Sequence, residues 1–161
     1  MSLALVVLVF VTLQRLGELV LARRNTARLL ARGAVEIAPG HYPMVVLMHG
    51  AWLAGLWWLA WDAPVNLAFL AVFAVLQLLR VWVLVTLGPR WTTRIIVLPG
   101  EPLVHAGPYR FLSHPNYCVV VGEIMVLPLV FGMVWYGIVF TILNAAVLTI
   151  RIGAENRALA R

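Results

Sequence analysis

Val65–Leu87, VNLAFLAVFAVLQLLRVWVLVTL, is an apolar run interrupted by one charge, Arg80. About 20 apolar residues in helical form cross the hydrocarbon core of a bilayer, so this stretch reads as a membrane span. Leu3–Val20 and Pro43–Trp61 read the same way. Two further runs, Tyr117–Phe131 and Met133–Ile150, are shorter and are divided by Gly132. They are expected to form a hairpin that crosses only partly or leans on its neighbours. Pro128 lacks a donor for the helical ladder, so it should kink or end the first arm. The expected fold is an all-α polytopic bundle of about five transmembrane segments, with residues 1–161 as a single membrane domain and three of the helices within 1–87. The first segment lacks the basic leader and small-residue cleavage site of a signal peptide and is read as a retained span.

Composition agrees. The chain is 63% hydrophobic and 11% charged, with mean hydropathy +0.97, against roughly 25% charged residues in soluble domains. The net charge of +6 comes from arginine alone, because there is no lysine. These arginines punctuate apolar runs instead of covering one face of a soluble module, which excludes nucleic acid as the expected partner and leaves the lipid bilayer. The single cysteine, Cys118, excludes an internal disulfide framework.

Arginine placement sets an orientation. The Ala22–Tyr42 connection holds Arg23, Arg24, Arg28 and Arg32 against Glu36, Gly88–Asn116 holds Arg90, Arg94 and Arg110, and the C-terminal tail holds Arg151, Arg157 and Arg161. The Asp62–Pro64 connection and the Gly132 tip carry no basic residue. By the positive-inside rule the N-terminus is outside and every arginine-bearing connection is cytoplasmic. All five segments obey the alternation.

Charges within the spans are costly and face a partner or a cavity. Arg15 and Glu18, three apart on one helix face, are open to two readings, a structural ion pair or the lining of a substrate pocket. Arg80 has no local partner and is placed with them as a substrate-binding candidate. Glu123 sits in the short fourth segment, where it is expected near water. Gly88–Asn116 is punctuated by Pro89, Pro99-Gly100, Pro102 and Gly107-Pro108, and long loops of this kind are often functional. Within it, Gly107-Pro108-Tyr109-Arg110-Phe111-Leu112-Ser113-His114-Pro115-Asn116-Tyr117 leads into a span. Pro115 suits the first helical position, and the amides of that helix start suit a carboxylate. By composition alone the cluster fits better as an interfacial anchor of tyrosine and arginine. Arg151 and Glu155, four apart, either form a surface pair of about 0.3–0.5 kcal/mol or each meet an opposite charge on one zwitterionic ligand. His41, His49 and His105 have no metal-ligand spacing, and no metal is expected.

Gly107-Pro108-Tyr109, then His114-Pro115-Asn116-Tyr117, a hydrophobic hairpin, and Arg151 with Glu155 resemble the isoprenylcysteine carboxyl methyltransferase family over roughly the C-terminal half. Gln14-Arg15-Leu16-Gly17-Glu18-Leu19, Ala22-Arg23-Arg24-Asn25 and His41-Tyr42-Pro43 resemble its small bacterial branch, associated with methylating long-chain alkylpyrones and alkylresorcinols. The resemblance implies an S-adenosylmethionine-dependent O-methyltransferase of a bacterial inner membrane, with residues 88–161 as the cofactor-binding and catalytic half. The acceptor would be a carboxylate or an enolic or phenolic oxygen of a lipophilic small molecule or a prenylated cysteine. It places Tyr109, His114, Pro115, Asn116, Tyr117 and Glu155 on the cofactor, with Glu101, Pro102, Leu103 and Val104 as a further contacting segment. Arg151 becomes the catalytic residue, facing the substrate's reacting oxygen. Ser113 and Asn156 depart from the family pattern, where an arginine and a second glutamate usually stand. Two alternatives are an NADPH-dependent membrane reductase of the sterol reductase type, for which no arginine cluster for a 2′-phosphate is found, and a non-enzymatic lipid-binding protein. The residues imply no particular oligomeric state.

Overall fold

The computed structural model describes residues 2–159, so Arg161 of the orientation argument lies outside the described residues. Five helices follow one another: α1 (Leu3–Ala31), α2 (Tyr42–Ala60), α3 (Leu67–Leu87), α4 (Pro115–Val130) and α5 (Val134–Leu159). The fold is all-α apart from β1 (Val35–Glu36) and β2 (Ile96–Val97). α1, α2, α3 and α5 are long and apolar enough to cross a membrane, whereas α4 is a shorter apolar helix.

The hairpin therefore differs from expectation in one arm. α5 has 26 residues and is not the partial span expected. It runs through Ile150 and carries Arg151 and Glu155 on a continuous helix instead of a tail. α4 has 16 residues, about 24 Å at 1.5 Å per residue, short of a core about 30 Å thick. Pro115 occupies its first turn and Pro128 its last, after which Gly132 turns the chain at φ +73°.

The helices alternate in direction. Ser2 caps α1, accepting from Leu5 N–H at 3.2 Å, and its hydroxyl donates to the Trp61 carbonyl after α2. Asn66 caps α3 through the amides of Ala68 and Phe69, and its own N–H donates to the Val130 carbonyl at 2.8 Å. These contacts gather the two turns without basic residues at one end. At the other, β1 pairs antiparallel with β2, Val35 opposite Val97 and Glu36 opposite Ile96, which ties the α1–α2 connection to the α3–α4 connection. Asn25, almost wholly buried, donates to the carbonyls of Gly88 and Trp91 and fixes the end of α1 to the same loop.

The main apolar core, including Leu8, Val11, Trp52, Leu56, Phe73, Ile124 and Leu127, occupies the end without arginine-bearing connections. Leu47, Trp58, Leu78, Val85, Trp135 and Ile142 stand on the exterior. Apolar side chains outside and closed backbone hydrogen bonding within helices are what a lipid solvent requires. With the core at one end, the room for a site is at the other.

Candidate active site

Two cavities open toward the arginine-bearing end. The outer one, about 610 Å³, lies under the α3–α4 loop. Its wall includes Arg151 and, save one, the residues expected at a cofactor: Glu101, Pro102, Leu103, Val104, Tyr109, His114, Asn116, Tyr117 and Glu155. The exception is Pro115, buried at the first position of α4 and behind the wall. The inner cavity, about 280 Å³, lies among the helices and includes Arg15, Glu18, Arg80 and Arg151 in a mostly apolar wall.

The loop's shape follows from its sequence. Gly107 has φ +54°, and a Cβ there would run into Thr86 and Trp82 of α3. Only glycine meets both demands, and it delivers the Pro108–Arg110 turn against α3 with Tyr109 on the cavity wall. Burial, with the Glu155 charge second, pushes the Tyr109 phenol up to about 12, so it is a neutral hydrogen-bonding group at ordinary pH.

Tyr117 is the hub where the cavities meet. Its hydroxyl donates to the Glu155 carboxylate and accepts from Arg151 Nε at 2.8 Å. Arg151, 8% exposed, also donates to the Thr93 carbonyl at 2.8 Å and lies 5.4 Å from the centroid of the Tyr117 ring. His114 stacks on that ring at 5.2 Å and 17°, with Nδ1 3.8 Å from Glu155. The reading of Arg151 and Glu155 as a direct surface pair does not hold, because the Tyr117 hydroxyl stands between their charges. The expected row of free amides at the start of α4 is also shorter than expected. Tyr117 and Cys118 N–H both turn to the His114 carbonyl, leaving Asn116 as the amide of that turn without a backbone acceptor among the described residues.

Glu101 lines the outer cavity, but its carboxylate is held by Arg32 at 2.7 Å and Arg90 at 2.9 Å. Arg90 also donates to the Pro102 carbonyl at 2.8 Å, and Arg94 pairs with Glu36 at 2.9 Å. These contacts strap the loop over the cavity. Arg32, assigned by sequence to orientation, thus has a partner at the site.

At the inner cavity, Arg15 pairs with Glu18 at 2.9 Å and with Glu123 at 2.7 Å. Arg80, without a local partner in sequence, pairs with Glu123 and with Glu18 at 3.3 Å. Glu123 is not near water but 1% exposed, because α4 packs closely on α3. Gln14 and Gln77 add hydrogen bonds to the two glutamates. Two arginines and two glutamates make a neutral network, as burial in lipid demands. The ion pair of Arg15 and Glu18 exists, and both residues also line the inner cavity.

Sequence reasoning missed Thr93, whose carbonyl is not encoded by residue type, and Asn144. Asn144 had a signal: it is a polar residue in an apolar run, two helical turns before Arg151.

A polar chamber and an apolar chamber thus share a wall in a bundle whose helices are apolar enough to cross a membrane. The sequence profile of the Isoprenylcysteine carboxyl methyltransferase (ICMT) family matches residues 68–161, and the chain belongs to that family, as a membrane methyltransferase of that type. It is also similar to the Bacillus subtilis (strain 168) protein named "Uncharacterized protein YpbQ", 36% identical over 159 residues covering 91% of this chain and 90% of that one. No solved structure matches the chain.

Proposed function

We propose that this protein transfers a methyl group from S-adenosylmethionine to an oxygen of a lipophilic substrate, on the cytoplasmic side of a bacterial inner membrane. The observation that carries this reading is the wall common to the two cavities, formed by Trp91, Thr92, Asn116, Tyr117 and Arg151. A soluble donor in one and a membrane-borne acceptor in the other would meet there.

The outer cavity's donor set suits the cofactor. Its volume lies within the about 300–1,000 Å³ of small-molecule sites. Glu155 is an acceptor for an ammonium, the Asn116 N–H and His114 ring are candidate donors to a carboxylate, and Leu103, Val104 and Tyr109 offer surface for a flat ring. S-adenosylmethionine, when bound, supplies a methyl group activated by a sulfonium. The chain's part is to align and to exclude water. Arg151, fixed by Tyr117 and Thr93, holds the substrate oxygen as an anion through charge-assisted hydrogen bonds. A carboxylate or an acidic enol reaches the site already ionised, so no dedicated base is required. The substrate tail enters between helices and is stabilised by burial at about 25 cal/mol per Å². Arginine-bearing connections at the site's end support the cytoplasmic assignment.

The test is a radiolabelled methyl-transfer assay on purified protein, comparing a prenylcysteine with a long-chain alkylpyrone, alongside calorimetric binding of S-adenosylmethionine. Glu155→Ala should weaken cofactor binding at least tenfold. Absence of cofactor binding by wild type would sink the reading, and unchanged affinity in the variant would remove Glu155 from it.

A further inference from the structure

Asn144 is wholly buried, and neither its amide nitrogen nor its amide oxygen has a hydrogen-bond partner among the described residues. It borders the inner cavity. Burying an amide without partners is costly, and such groups in a folded protein call for a specific reason. The charge network supplies none, because its ion pairs close among Arg15, Glu18, Arg80 and Glu123 without Asn144.

The neighbourhood points the same way. Asn144, Val147, Leu148 and Arg151 all border the inner cavity, a spacing of three, four and seven that puts them on one face of α5. Arg151 thus stands two helical turns beyond Asn144 on that face. Also bordering the cavity, His49 makes a 2.9 Å hydrogen bond between Nδ1 and the Val45 carbonyl. A carbonyl only accepts, so Nδ1 carries the proton and Nε2 is left as an acceptor. The Trp52 indole N–H in the same wall is buried and unpartnered. Beside its charged residues the chamber thus holds an unused amide, an unused acceptor and an unused donor. A simple hydrocarbon tail would satisfy none of them.

We infer that Asn144, with His49, is a specificity-determining polar subsite that hydrogen-bonds a second hydroxyl or carbonyl of the substrate head group, distinct from the oxygen that receives the methyl. The inference rests on reading the inner cavity as the substrate's site. It narrows the substrate class to head groups carrying two oxygen functions, one held at Arg151 and the other deeper, beside the start of the tail.

The experiment is equilibrium binding to the full chain in detergent, with three probes of equal chain length: an alkylresorcinol, the alkylphenol lacking the second hydroxyl, and the alkylbenzene lacking both. Wild type should bind the alkylresorcinol about tenfold more tightly than the alkylphenol, since a site built for a hydroxyl discriminates against its absence. In Asn144→Leu, which removes a desolvated amide and keeps its size, that ratio should fall to about one while alkylbenzene affinity holds. Asn144→Ser serves if the leucine variant does not fold, and His49→Phe should reduce the ratio from the other wall. A wild-type ratio near one, or an unchanged ratio in the Asn144 variant, overturns the inference. Binding needs no methyl transfer, so a failed transfer assay sinks the proposed reaction and leaves the ratio to decide Asn144 separately.

Discussion

The two cavities differ in how each settles its polar groups. In the inner one Arg15, Arg80, Glu18 and Glu123 neutralise one another within the bundle, and Glu123 and Arg80 are 1% and 2% exposed. In the outer one charges are strung across loop and helix ends, partly exposed, and Glu155 is left with a tyrosine hydroxyl and a nearby histidine as partners. In lipid a charge without a partner is intolerable, so the inner network is fixed before any ligand arrives. Near water a charge can wait for one. The difference separates residues that build the chamber from residues free to bind.

The largest expected effect tests the builders. Arg80→Leu leaves Glu123 with a single arginine, and breaking a buried pair costs about 3–5 kcal/mol. Thermal unfolding in detergent should show a severe loss, accompanied by loss of cofactor binding because the fold itself fails. The double variant Arg80→Leu/Glu123→Leu keeps the neutral Arg15–Glu18 pair and should recover most of that loss. A single variant as stable as wild type would break the comparison at its root.

Next comes the hub. Arg151→Ala should lower turnover by about 10²-fold or more, the usual scale for a fixed donor to a reacting oxygen, with melting temperature little changed. Tyr117→Phe removes the hydroxyl that both positions Arg151 and caps Glu155, so it should impair turnover and cofactor affinity together. If it alters one alone, the cavities are less coupled than their common wall implies. The Tyr109 phenol, pushed up to about 12, is raised above its ordinary value near 10. Its neutral form therefore contributes stability in full below pH 10, and this is lost as pH rises through about 12. Cofactor affinity should show no Tyr109 limb through pH 10, and Tyr109→Phe should leave that part of the profile unchanged.

The sequence made the outline of the fold legible because lipid imposes a one-dimensional rule: apolar runs of sufficient length, with arginines at alternate ends. Pro115 and Pro128 marked the ends of α4 for the same kind of local reason. The length of α5 was misread because polar residues beginning at Arg151 ended the apolar run without ending the helix. Arg80 and Glu123, on different segments, could not be seen as partners from sequence, since 43 positions separate them and nothing local records that α3 packs on α4. The outer-cavity residues came from resemblance more than from chemistry. His114, Tyr117 and Arg151 by themselves fit an interfacial anchor as well as a site, and only their convergence around one hydroxyl favours the second.

The smallest effect sharpens the division among arginines. Arg23, Arg24 and Arg28 make no ion pair among the described residues, while Arg32, 55% exposed, holds Glu101. An exposed pair contributes only about 0–1 kcal/mol, so Arg32→Ala should barely move the melting temperature. Its effect belongs instead to the strap: without Arg32, Glu101 keeps Arg90 alone, the loop over the outer cavity loosens, and cofactor dissociation should quicken about two- to fivefold. Arg28→Ala, one turn earlier on α1, should leave dissociation unchanged. Because exposed pairs are screened with a Debye length of about 8 Å at physiological salt and 3 Å at 1 M, raising salt should quicken wild-type dissociation toward the Arg32→Ala rate and change the variant less. Equal behaviour of Arg28→Ala and Arg32→Ala would return Arg32 to the orienting group and leave the loop held by Arg90 and the β1–β2 pairing.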